Sequence, residues 1–202
     1  MIKSSAATKT IEPEGPAPLP AAPKRLLAAG LLLTVLVLAV YLRVYKHEFV
    51  AYDDKVYITD NQVVLQGLSW QNCLWAFTTS HGSNWHPLTW LSHMLDVELF
   101  GLWAGGHHLT NVFIHLLNTL LLLAVFHRLT GNLGRSLWLA VVFALHPLRA
   151  ESVAWAAERK DVLSAFFWMA ALGAYAAYVR RPGPVRYAAV TSLFILGLLA
   201  KP

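Results

Sequence analysis

Apolar runs alternate with short polar connections along the chain, and the run lengths decide what each can form. Leu26 to Leu42 is seventeen residues without a charge, dominated by Leu, Val and Ala. At about 1.5 Å rise per residue, such a helix nearly crosses a hydrocarbon core of about 30 Å. Tyr41 and Tyr45 flank its end, so a spanning helix is predicted over about 26–45. A cleaved leader is the poorer reading, because no small-x-small site follows the run and some two dozen residues precede it. Leu99 to His127 contains a second spanning core, predicted over about 107–128. Ser136 to Leu148 is only thirteen residues, and becomes a span over about 136–156 only if the helix continues through Ala150 to Trp155. Val162–Val179 predicts a fourth span over about 161–179, and Tyr187–Ala200 a fifth over about 186–201. The pattern is that of an all-α, polytopic membrane protein with about five transmembrane helices.

Between the first two spans lies a connection over about 46–106, holding Trp70, Trp75, Trp85, Trp90 and Trp103, five of the eight tryptophans. Ser69 fits the N-cap of a short helix with Trp70, Leu74 and Phe77 on one side. Pro87 fits the first turn of another, running to about Phe100. Tryptophan at this density belongs to a membrane surface. Two short interfacial helices along the outer leaflet are expected.

Composition agrees: 56% of residues are apolar and 13% charged, against about 45–50% and 25% in soluble domains. Five of the ten prolines fall within the first 23 residues, so residues 1–24 are expected to form a disordered cytoplasmic tail before a membrane domain over 25–202. The net charge of +5 does not indicate nucleic acid, because the basic residues stand at the ends of apolar runs and form no patch interleaved with aromatics. They indicate topology. With Lys24 and Arg25 cytoplasmic, alternation puts Arg128, Arg135, Arg180, Arg181 and Arg186 on the same side. Nine of the eleven acids, Glu48 through Asp161, then fall outside. The single cysteine, Cys73, excludes an internal disulfide and a cysteine zinc site.

Four constellations carry candidate chemistry. Asp53-Asp54 could supply a general base or hold a cation, or be a solvated turn. His108, Asn111, His115 and Asn118 share one helical face by their spacing of 3, 4 and 3, as an interhelical hydrogen-bonding stripe or the lining of a cavity. His86, Thr89, His93 and Asp96 repeat that spacing. His86 and His93 lie two turns apart, about 10 Å, too far to share one ion, so a polar face turned to a cavity is expected and no metal. The last constellation runs from His146-Pro147 to Asp161: Glu151, Glu158 and Asp161 share a face if the helix is unbroken, while Arg149, Arg159 and Lys160 could hold a phosphate.

The segments Asn84-Trp85-His86-Pro87-Leu88-Thr89-Trp90, His108-Leu109-Thr110-Asn111 with His115, His146-Pro147 with Glu151-Ser152-Val153-Ala154-Trp155, and Glu158-Arg159-Lys160-Asp161-Val162-Leu163 carry a resemblance. Together they are similar to the amino-terminal membrane portion of the transmembrane and tetratricopeptide-repeat O-mannosyltransferases and their bacterial relatives. The resemblance covers about residues 30–202. It implies a GT-C-type, all-helical glycosyltransferase with its site on the lumenal or periplasmic side, a polyprenyl-phosphate sugar as donor and a protein Ser or Thr hydroxyl as acceptor. A bacterial inner membrane is expected rather than the endoplasmic reticulum. The tetratricopeptide array that follows in such proteins is absent, so the chain is read as a fragment or truncated product.

The resemblance further implies an inverting sugar transfer with Asp53 or Asp54 as base and Glu151 orienting a neighbouring base or a sugar hydroxyl. Arg149, Arg159 or Lys160, with His86 or His146, would neutralise the departing lipid phosphate, and Asp161, His108, Asn111 and His115 would complete the substrate site. No cofactor beyond the donor is implied, and a divalent cation at Asp53-Asp54 stays open. Two other classes fit the residues less well. A non-catalytic membrane anchor or scaffold accounts for the abrupt end at Pro202, and a transporter requires acids at mid-depth, whereas these lie at span ends.

Overall fold

The computed structural model describes residues 23–202, so the tail expected over residues 1–24 lies outside them except for its last two positions. All regular structure among the described residues is helical. Helix α1 (Pro23–Tyr41) continues as a tight turn over Leu42–Lys46 and leads into the first loop. The loop carries α2 (Gln62–Leu65), α3 (Trp70–Thr78) and α4 (Pro87–Phe100). Then come α5 (Ala104–Thr130), α6 (Leu133–Leu145), the short α7 (Ala150–Ala154), α8 (Arg159–Arg180) and α9 (Pro184–Ala200).

Three of these are long and apolar enough to cross a membrane: Pro23–Lys46, Ala104–Thr130 and Ala156–Arg180. Five had been expected. The third run does not continue straight through Trp155; α6 stops at Leu145, and the segment Pro147–Ala154 leaves it at 55°. Pro147 causes the break: it has no N–H to donate back into α6, and it pushes His146 to an extended ψ of 129°. Counting the bent pair as one span gives up to four. Helix α9, at 17 residues, is a shorter apolar helix, about 25 Å long.

Two apolar clusters hold the bundle. Ala29, Leu33, Leu122, Leu123, Ala140 and Met169 join α1, α5, α6 and α8 at one level. Val37, Tyr41, Val112, Ala144, Val153 and Val162 join them, with α7, at the next. A third cluster belongs to the loop: Tyr57, Ile58, Val64, Ala76, Trp90 and Met94 pack on Ala156 and Ala157, between α7 and α8. The loop is therefore seated on the broken segment. Gly105 and Gly106 let the start of α5 lie close against the turn after α1 and the end of α4, because a Cβ would stand 2.3 Å from the Tyr45 carbonyl oxygen at the first and 2.4 Å from Phe100 at the second.

The two loop helices form where their capping signals put them. The Ser69 hydroxyl accepts the Asn72 N–H at 3.1 Å, and Pro87 opens α4. Trp70, Leu74 and Phe77 are exposed together, Trp70 to 80%. The acids gather at one end of the bundle, several of them paired with cations there. Asp54, Asp96, Glu158 and Asp161 stand around the loop and the α7–α8 break, while Arg180 donates to the Arg128 carbonyl at the other end.

Candidate functional site

The adjacent carboxylates of the first loop have different surroundings. Asp54 is closed to solvent; one oxygen accepts the Val50 N–H and the other the Ala157 N–H, both at 2.8 Å. Burial raises its carboxyl above the ordinary value, against those two donors, which favour the charged form. Asp53 is only half-buried, and its charge helps burial push the Tyr57 hydroxyl up to about 12, with Glu158 adding to the effect. With both Asp54 oxygens turned to backbone N–H groups, a two-carboxylate chelate of a divalent cation does not fit this geometry.

Beyond the loop, the backbone breaks twice, at His146-Pro147 and again at Trp155, which is extended at φ −95°, ψ 125°. Glu151, Glu158 and Asp161 therefore do not share the single helical face that an unbroken helix would have given them. Glu151 is exposed at the start of α7. Glu158 pairs with Lys160 at 2.7 Å, and Lys160 also lies 5.2 Å from the Tyr57 ring centre. Asp161 accepts the Ser152 hydroxyl and pairs with Lys201.

Arg149 stands between two grooves. The first, about 400 Å³, runs between α8 and α9 and is lined by Ala165, Trp168, Leu193, Phe194 and Leu198 with Arg149, Asp161 and Lys201 at its polar end. The second, about 490 Å³, follows Leu122, Leu139, Val142 and Phe143 to His146 and Arg149. The guanidinium lies 4.4 Å from the Phe143 ring centre, and no carboxylate among the described residues forms an ion pair with it. His146 is exposed, its ring accepting the Leu148 N–H. Close by, a smaller pocket of about 330 Å³ is lined by His47, Val50, Glu151, Ala154 and Trp155, with the Tyr52 and Trp155 rings 6.3 Å apart. The sequence reading passed over His47 and Tyr52; the Tyr52-Asp53-Asp54 adjacency was the available signal.

The remaining candidates lie inside the protein. The polar stripe of α4 faces packed protein: Thr89 donates to the Ala200 carbonyl at 2.9 Å, and His86, His93 and Asp96 are buried with it. Burial, with Lys160 adding to it, lowers His86 to about 4, and burial carries His93 well below its ordinary value. Arg159 is completely buried; its guanidinium is 2.5 Å from Asp96, 2.9 Å from the His107 carbonyl oxygen, and bonded to Asn111. Every strong acceptor around it is thus internal. His93, Asp96 and His107 place ligand atoms within 4.8 Å of one another. A divalent ion there would stand beside the guanidinium in a region closed to water, where like charges are costly, so Arg159 already serves as the cation.

On α5, Asn111, His115 and Asn118 face the carbonyls of Trp155 (2.7 Å), Ala144 (3.1 Å) and Val162 (2.8 Å). The Ala144 carbonyl is in the last turn of α6, where no helical N–H follows it, while the Trp155 carbonyl lies at the second break and the Val162 carbonyl in the first turn of α8. The interhelical reading of the stripe describes these three. His108, buried beside Phe49 and His47, has no hydrogen-bond partner among the described residues.

Comparison with known proteins gives the arrangement its context. The chain is 31% identical over 176 residues to Protein O-mannosyl-transferase TMTC2 of Homo sapiens, covering 84% of this chain and 21% of that protein. It is 32% identical over 165 residues to Protein O-mannosyl-transferase Tmtc2 of Drosophila melanogaster, 74% of this chain and 18% of that one. Protein O-mannosyl-transferase TMTC1 of Mus musculus is 35% identical over 145 residues, 67% and 15%. The relatives are protein O-mannosyl-transferases. The chain spans about a fifth of the length of the first two. No family model and no solved structure matches it. The similarity supports the resemblance to the transmembrane O-mannosyltransferases over most of this chain.

Proposed function

We propose that the chain is the amino-terminal membrane part of a GT-C-type glycosyltransferase that moves a sugar, mannose by analogy with its relatives, from a polyprenyl phosphate to protein Ser or Thr hydroxyls on the non-cytoplasmic side. The observation that carries this reading is Arg149: a half-buried guanidinium with no acid partner among the described residues, at the polar end of an apolar groove. A long isoprenoid chain fits between Trp168, Phe194 and Leu198, and its phosphate meets Arg149, the side chain suited to forked recognition of phosphate oxygens. Lys201, at the same end, is paired with Asp161, so the phosphate falls to Arg149.

In this scheme Asp53 is the base, because Asp54 is held by two backbone donors while Asp53 remains accessible. The acceptor oxygen attacks the anomeric carbon as its proton passes to the Asp53 carboxylate. The bond from the anomeric carbon to the phosphate oxygen breaks, and its electron pair leaves on the lipid phosphate, which Arg149 neutralises. Glu151 orients the sugar. Positioned proton transfer of this kind contributes about 10²–10⁴ in rate. Arg159, His93, Asn111 and His115 support the scaffold that holds these groups.

The test is transfer of labelled mannose from polyprenyl phosphate to an acceptor peptide by the full-length parent protein, with Asp53→Asn and Asp54→Asn measured beside it. Loss of turnover in Asp53→Asn is expected; wild-type turnover in that variant would rule the scheme out.

A further inference from the structure

We propose that the pocket lined by His47, Val50, Glu151, Ala154 and Trp155 is a binding subsite for the neutral hexose ring of the lipid-linked donor. This rests on the donor reading above and adds to it the residues that distinguish a sugar-bearing lipid from the bare lipid phosphate. Its volume of about 330 Å³ lies at the small end of ligand pockets, of order 300–1,000 Å³, and suits one sugar ring rather than a stretch of peptide.

The lining chemistry selects the class of ligand. A pyranose offers an apolar face of C–H bonds and a rim of hydroxyls. Trp155 supplies a broad aromatic wall, and Tyr52, 70% exposed and tilted 36° to it, extends that wall outward. Glu151, exposed and without an ion-pair partner among the described residues, offers carboxylate oxygens to hydroxyl donors. His47 offers a ring nitrogen that donates or accepts according to its tautomer. Neither Arg nor Lys lines the pocket, so a phosphate is not favoured inside it. The guanidinium suited to phosphate belongs to Arg149, two residues before Glu151 along the same turn of backbone.

Asp54 fixes the shape of this pocket. Its carboxylate binds the N–H of Val50, which lines one wall, and of Ala157, two residues beyond the Trp155 indole. The two walls, about a hundred residues apart in sequence, are thus tied at one point.

The experiment compares binding of polyprenyl-phosphate mannose and bare polyprenyl phosphate to the full-length protein in lipid nanodiscs. Wild type is expected to prefer the sugar-bearing lipid by about tenfold or more, the equivalent of one charge-assisted hydrogen bond plus an aromatic contact. Tyr52→Ala and Glu151→Gln, both at exposed positions, bring that preference close to unity while leaving affinity for the bare lipid unchanged; Trp155→Phe keeps part of it. Equal wild-type affinity for the two lipids, or variants that weaken both alike, overturns the subsite and leaves the donor reading standing. Binding of neither lipid overturns both.

Discussion

The Asp54 carboxylate accepts the backbone N–H of Ala157 at 2.8 Å across 103 residues of sequence, and with its other oxygen accepts the N–H of Val50. The first loop and the α7–α8 break are therefore one unit. Asp54 is a brace in that unit, and Asp53 is the carboxylate left partly accessible.

The pair consequently separates under mutation. Asp54→Asn keeps one acceptor but turns an amide NH₂ toward a backbone N–H, at a cost of about 1–3 kcal/mol. Its thermal unfolding midpoint in detergent should fall, whereas Asp53→Asn should unfold like wild type and lose transfer activity by about 10²–10⁴. Equal midpoints for the two variants would contradict the division of roles.

Arg159 is a second brace. Arg159→Met leaves Asp96 as an uncompensated charge in a region closed to water, with an expected loss of about 3–5 kcal/mol. Arg159→Lys should recover little of it, because a single ammonium does not reach Asp96, Asn111 and the His107 carbonyl together. Denaturant unfolding of both variants, with Asp96→Asn/Arg159→Met as the paired control, measures this. A lysine variant as stable as wild type would count against the network.

Arg149 should behave in the opposite way. With only its contact on the Phe143 ring to lose among the described residues, Arg149→Gln is expected to fold almost normally and to weaken donor binding about 10–100-fold, the worth of a charge-assisted contact to phosphate. Binding of polyprenyl phosphate over a salt titration is the readout, and Arg149→Gln should flatten the salt dependence.

His86 gives a pH signature. Its folded value of about 4 lies below the ordinary 6.5, so between those values the unfolded chain binds more protons than the folded one. Stability should be lost as pH falls from about 6.5 and level off below about 4, by no more than about 3 kcal/mol from this group. His86→Gln should reduce that acid loss, with His93 accounting for part of the remainder. Midpoints measured from pH 7 to 4 decide it; an unchanged slope would refute the assignment.

Helix α3 presents Trp70, Leu74 and Phe77 outward, a face suited to the boundary between headgroups and acyl chains. Quenching by brominated lipids should include Trp70, so Trp70→Phe should remove a measurable part of it. Replacing Leu74 and Phe77 with Ser should reduce quenching of Trp70 itself.

How much of this could be read from sequence depended on the range of the interaction involved. Local signals were sufficient for α3 and α4, because Ser69 and Pro87 act within one turn. Run length correctly marked the helices that became α1, α5 and α8. It does not reveal the bend in the third run, where Pro147 turns the chain by 55°. The stripe on α5 was visible as a 3, 4, 3 spacing, yet its partners are carbonyls of Trp155, Ala144 and Val162, and backbone acceptors leave no trace in side-chain patterns. Arg159 was grouped with Arg149 and Lys160 as a phosphate ligand because all three are cations in one short segment. Only the fold shows that Arg159 turns inward to Asp96, while Arg149 faces the grooves.

The stripe on α5 also sets two stages of the protein's biogenesis against each other. Asn111, His115 and Asn118 make the helix a poorer substrate for insertion into a bilayer, where each polar side chain is penalised before any partner has arrived. Once α6, α7 and α8 are in place, the same side chains bond the carbonyls of Trp155, Ala144 and Val162, and hydrocarbon would leave that of Ala144, at the end of α6, bare. Leucine at these positions would ease entry of α5 into the membrane and leave the broken helices beside it without a partner, so selection on insertion and selection on assembly act on the same three residues in opposite directions.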